Sequence, residues 1–95
     1  MIIDKSEIIE NTQIADGIWR MIFKSAEIAG RYRGAGQFVS VLANDNWEHP
    51  IRRPMSIAGI KDDEISIIYK VYGSVTQALT QLKSKDYIDV LGPLG

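Results

Sequence analysis

The sequence predicts a mostly β domain: a small antiparallel barrel of six strands with one short helix over an open end. Three observations carry this. Alternating or β-branched segments recur six times at short spacing. The breaks between them have turn chemistry, and a single segment shows helical spacing instead. Six short strands sharing one core must hide their edges, and closure into a barrel achieves this.

In chain order, the strand segments are "EIIENTQIA" (7–15), "GIWRMIFKS" (17–25), "GQFVSVLA" (36–43), "MSIAGI" (55–60), "EISIIYKV" (64–71) and "DYIDVLG" (86–92). Asp16-Gly17, the glycine-rich "GRYRGAG" (30–36), "NDNWEHP" (44–50) and "KDDE" (61–64) separate them, several at hairpin length. The helix is "SVTQALTQLK" (74–83), with Val75, Leu79 and Leu82 on one face and Ser74 or Thr76 able to cap its start.

Composition bounds the function. Ninety-five residues make one modest domain, residues 1–95, and the 45% hydrophobic and 24% charged content is that of a folding, globular chain. Eleven basic and twelve acidic residues leave a formal charge of −1, so no general field attracts nucleic acid or anionic lipid. Any anion site must be local. With no cysteine, this chain cannot form disulfides or supply thiolates to zinc or an iron–sulfur cluster. One histidine, His49, cannot build a histidine metal site. The charged start "MIIDKSEIIE" lacks a signal-peptide core and no stretch has the length of a membrane span, so a cytoplasmic protein with no membrane partner is expected. The ending "LGPLG" directly after a strand reads as the front part of something longer.

Chemistry concentrates between residues 51 and 76. In "IRRPMSIAGI" two arginines precede a proline, which removes a strand donor and marks a sheet edge or a bulge where side chains can be aimed at a ligand. An arginine there presents a fork of donors suited to phosphate, although both arginines could equally be solvated charges. In "YGSVT" (72–76), Gly73 and the hydroxyls of Ser74 and Thr76 lead into the helix, whose unpaired amides favour an anion; an ordinary N-cap would look the same.

Taken in order, Arg-Pro-x-Ser, a strand ending in Tyr-Lys and a Gly-x-x-Thr helix start resemble the FAD-binding barrel of the ferredoxin-reductase superfamily. With "GAGQFVSV" and "IDVLGPLG" added, the chain is similar to the electron-transfer subunit of two-component dihydroorotate dehydrogenase, which serves pyrimidine biosynthesis. The resemblance implies a Greek-key barrel binding FAD and serving as a flavin electron-transfer module of an NAD(P)H-linked oxidoreductase. It assigns Arg53 to the pyrophosphate, Ser56 to the isoalloxazine near N5, and Met55 to the ring, with Pro54 between them. Ile68, Tyr69 and Lys70 would line the ribityl and phosphate portion, and Gly73, Ser74, Val75 and Thr76 the phosphate turn. Val75 stands where the family often has glycine, which would restrict the approach of backbone to phosphate, and Ala35 stands where it has proline.

That family continues past "GPLG" into an NAD-binding domain and a cysteine-rich segment, both expected to be absent from this chain, so independent NAD(P)H oxidation is expected to be inefficient. A homodimer, or docking to a catalytic or nucleotide-binding subunit, is the expected assembly. The competing reading is a cofactor-free barrel used for interaction or dimerisation. Trp19 and Trp47 as a nucleic-acid stacking platform are disfavoured by the acidic residues around them. Trp47 reads instead as a loop residue over the barrel, His49 as a solvated loop residue, and the carboxylates of "KDDE" as a hairpin turn.

Overall fold

A computed structural model describes residues 1–42 and 52–95. Trp47 and His49 lie outside the described residues. Eight elements follow one another: β1 (Ile2–Ala15), β2 (Ile18–Lys24), α1 (Ala26–Gly30), β3 (Phe38–Leu42), β4 (Arg53–Lys61), β5 (Glu64–Lys70), α2 (Ser74–Thr80) and β6 (Tyr87–Leu94). The strands close into a barrel in the order β1-β2-β5-β4-β3-β6, with every neighbouring pair antiparallel. The six-stranded barrel with a short helix is therefore present.

Alternation fills the interior. Met21 and Phe23 of β2, Val39 and Val41 of β3, Ile65 and Ile67 of β5, and Ile88 and Val90 of β6 are all buried and pack as one cluster. Leu79 of α2 joins them, so the helix closes an end of the barrel. Trp19 is partly buried and packs against this cluster.

Three differences from the sequence reading have physical reasons. First, β1 starts at Ile2 and not at residue 7, because its inward row carries Ser6, and Asp4 two residues before it, which disguise the hydrophobic period. Asp4 is satisfied there, since Ser25 Oγ donates to its Oδ2 at 2.5 Å. The length of β1 lets it pair with β6 through Ile2 to Glu7 and with β2 from Glu7 onward, and register shifts at Ile9 and Ile14 bend it between the two.

Second, α1 was not anticipated. Ser25 caps it, with Oγ accepting from Ile28 N at 3.2 Å, and Ile28 is fully buried. The sequence signal was "SAEI", a serine cap followed by an acidic residue in the first turn. Third, α2 ends at Thr80, not at 83, and its N-cap is Gly73. The "KDDE" turn is a hairpin as read: Asp62 takes φ 55, Asp63 O accepts from Ser25 N at 2.9 Å, and Asp63 meets Lys24 at 3.7 Å.

Candidate functional site

The barrel is closed between β4 and β5 along only part of their length. Their pairing runs from Ile57↔Ile67 to Lys61↔Glu64. Beyond it, residues 53–56 of β4 stay paired to β3, and residues 68–70 of β5 stay paired to β2, but not to each other. Each strand in an antiparallel sheet turns alternate main-chain groups to either side, so the parted strands face one another with rows of groups lacking a strand partner. Pro54 is tolerated in β4 because that side has no ladder to interrupt.

A cleft of about 230 Å³ occupies the parting, lined by residues 53–56, residues 68–70, Tyr72 and Thr76. A hollow of about 210 Å³ shares Arg53, Tyr72 and Thr76 with it and is completed by Gly73, Ser74 and Val75. On the opposite flank of residues 54–56, a third hollow of about 300 Å³ runs to Gly36 and Phe38. All eleven residues singled out in the sequence border the first two spaces.

The paired arginines part company. Arg52 is a strut: Nη1 donates to Ser40 O at 3.1 Å and to Asp89 O at 3.4 Å, and Nη2 pairs with Asp89 Oδ1. It ties the start of β4 to β3 and β6. Arg53 has no hydrogen-bond or ion-pair partner among the described residues and stands at the junction of the two spaces. One arginine is structural and the other is available to an anion.

Within the cleft, Ser56, Ile68 and Lys70 are exposed, whereas Met55 is 9% exposed and belongs to the core cluster. Thr76 is buried, and its hydroxyl is already engaged: Oγ1 accepts from Tyr72 N and Gly73 N, both at 3.1 Å, and donates to Gly73 O at 3.0 Å. It shapes the turn. The first-turn amides of Ser74 and Val75 have no carbonyl partner inside the helix. A Cβ added at Gly73 would meet nothing within 4 Å, so the space over that residue is open.

The Val75 side chain is 9% exposed and belongs to the core cluster, while the residue also borders the second hollow. Val75→Gly should accordingly lower stability by about 2–4 kcal/mol through lost burial and glycine's helix penalty, as measured by urea unfolding.

Tyr69 was read as a cleft residue, and it does border the cleft, but its side chain is 3% exposed and its hydroxyl donates to Asn11 Oδ1 at 2.8 Å. Asn11 Nδ2 in turn donates to Leu79 O at 2.8 Å and to Leu82 O at 2.9 Å. This network fastens the end of α2 to β1 and β5, and so fixes the helix whose start walls the cleft. A lone polar residue in a strand pattern gave no sign of it.

Burial pushes the Tyr69 phenol from its ordinary value of 10.0 up to about 12, against a lowering by Asn11. Because the folded value lies above the unfolded one, its contribution is fully present below pH 10 and is lost as pH rises toward 12. Stability should therefore fall across that window by up to ~1.4 kcal/mol per pH unit. Urea unfolding at stepped pH should show this slope in the wild type and lose it in Tyr69→Phe.

Barrel, parted strands and turn together define a class: the chain has the fold of the FAD-binding barrel of ferredoxin-reductase-type enzymes. Solved neighbours agree. The NADH-dependent reduced ferredoxin-NADP oxidoreductase of flavin-based electron bifurcation matches with a TM-score of 0.85 at 29% identity, over 97% of this chain and 33% of that one. The flavohemoglobin of Malassezia yamatoensis, solved with bound FAD and heme, shares the fold with a TM-score of 0.80 at 19% identity, over 100% of this chain and 26% of that one. By sequence, the chain is related to the electron transfer subunit of dihydroorotate dehydrogenase B (NAD(+)). It is 38% identical to that of Bacillus pumilus over 90 residues, covering 93% of this chain and 34% of the relative. It is 38% identical to that of Fusobacterium nucleatum over 97 residues, covering 100% of this chain and 37% of the relative. The chain thus spans about a third of the length of these curated relatives. No family model matches it. Among the described residues, no helix is long and apolar enough to cross a membrane.

Proposed function

We propose that these 95 residues bind FAD at the parting of β4 and β5 and serve as the electron-transfer module of an NAD(P)H-linked oxidoreductase. The observation that carries this is the parting itself, with Arg53, which has no partner among the described residues, at its mouth. Two facing rows of main-chain donors and acceptors suit the alternating polar edge of an isoalloxazine, and a free guanidinium suits a pyrophosphate. When bound, the flavin supplies hydride and single-electron chemistry.

The protein's residues do the holding. The exposed Ser56 hydroxyl stands at the rim, where it donates to a ring nitrogen, and Met55 offers a small thioether surface beneath. Ile68 covers ring and ribityl carbons, while Lys70 adds a charge toward the phosphates. Arg53 clamps the pyrophosphate from β4, and the amides of Ser74 and Val75 receive it from the turn, where the open space over Gly73 leaves room. Thr76 and Tyr69 act from behind by fixing the turn and α2.

Docking to a second subunit is favoured over self-association, because the relatives are named as electron transfer subunits. Calorimetric titration of the apo-protein with FAD and with FMN tests the proposal. FAD should bind and do so more tightly, having a pyrophosphate to offer; equal affinities or no FAD binding would overturn it.

A further inference from the structure

Closure of the barrel sets two seams against each other. Counting round the strand order β1-β2-β5-β4-β3-β6, the seam between β1 and β6 lies directly across from the parted β4 and β5. Of the seven large apolar side chains exposed among the described residues, Ile68 and Tyr72 line the cleft and Ile14 stands near the turn between β1 and β2. The other four, Met1, Ile3, Ile9 and Tyr87, belong to the opposite seam. Register explains their exposure. Ser6, Ile8, Ile88 and Val90 are buried, so Ile3, Lys5 and Glu7 of β1 face outward beside their cross-strand partners Leu91, Asp89 and Tyr87 of β6. Ile3 is 64% exposed and Tyr87 57%.

We propose that this β1–β6 face docks a second copy of the chain, back to back, with both clefts left open. Charge argues for a copy as the occupant. The face carries two positive side chains, Lys5 and Arg52, and two negative ones, Glu7 and Asp89, so it is neutral as a whole and offers both signs to a partner. A surface of that kind matches itself under a two-fold axis, which brings the same patch of two subunits together. An axis crossing the strands at the level of Ser6 sets Lys5 against Glu7 of the copy and Ile3 toward its Ile9. Size agrees: stable interfaces bury roughly 800 Å² per partner, and one side of a body 30 × 29 × 25 Å across is of that order. A redox subunit is not the occupant, because the width of the barrel would separate it from the cleft. The subunit docking favoured above concerns the flavin side, which this contact leaves free.

Sedimentation equilibrium of the apo-protein tests the contact without any flavin. Wild type should show a concentration-dependent equilibrium between monomer and dimer. Ile3→Glu should weaken that association about tenfold or more. At dilutions where both are monomers it should unfold in urea with wild type, because the side chain is exposed. Lys5→Glu and Glu7→Lys should each be monomeric, since like charges then meet across the axis. Mixed in equal amounts, these two variants should dimerise again, each supplying the sign that the other lacks. A wild type that stays monomeric throughout, a dimer untouched by Ile3→Glu, or a mixture that stays monomeric would overturn the proposal.

Discussion

Replacing Arg53 by alanine should weaken FAD binding by ten- to a hundredfold and leave the barrel as stable as before. The affinity loss follows from removing a charge-assisted contact of roughly 1.5–3 kcal/mol. The unchanged stability follows because Arg53 has no protein partner among the described residues, so surface substitution there should stay within about 0.5 kcal/mol. The neighbouring Arg52→Ala makes the contrast. It strips Asp89 of its partner and frees the Ser40 and Asp89 carbonyls, costing roughly 1–3 kcal/mol of stability. Titration calorimetry and urea unfolding on both variants separate ligand from scaffold. An Arg53 variant with wild-type FAD affinity would return that residue to ordinary surface charge.

Asn11→Ala should be strongly destabilising, by about 2–4 kcal/mol out of a total of typically 5–15. It leaves the buried Tyr69 hydroxyl without an acceptor and the Leu79 and Leu82 carbonyls without a donor. Tyr69→Phe removes one of these three bonds and should cost less, about 0.5–1.5 kcal/mol, with the helix still anchored by Asn11. Urea unfolding of the two variants gives the order. A Tyr69 variant less stable than the Asn11 variant would show that packing of the ring, not the helix anchor, dominates.

The barrel was legible because most of its strands carry their hydrophobic alternation openly, as in "IWRMIFK" and "EISIIYK". Where polar residues entered the inward row, at Asp4 and Ser6, the pattern broke and the first part of β1 was missed. The five-residue α1 was too short for a period to show. At the site, residue types and order singled out segments that the fold brings to one cleft and the hollow beside it. They could not distinguish Arg52 from Arg53, because that difference arises from Asp89, 37 residues away in sequence. Nor could they show that Thr76 spends its hydroxyl on the turn, that Val75 faces the core, or that Asn11 holds α2. Those facts depend on tertiary register, to which local pattern is blind.

The parting of β4 and β5 as the flavin seat is tested most directly by amide chemical-shift mapping of the isotopically labelled protein on addition of FAD. The account predicts the largest shifts at Arg53, Ser56, Ile68, Lys70, Gly73 and Ser74, with little change at Ile22, Gly59 and Ser66, which line a separate hollow on the barrel wall. Shifts centred on Ile22, Gly59 and Ser66, or none at the parted strands, would contradict it.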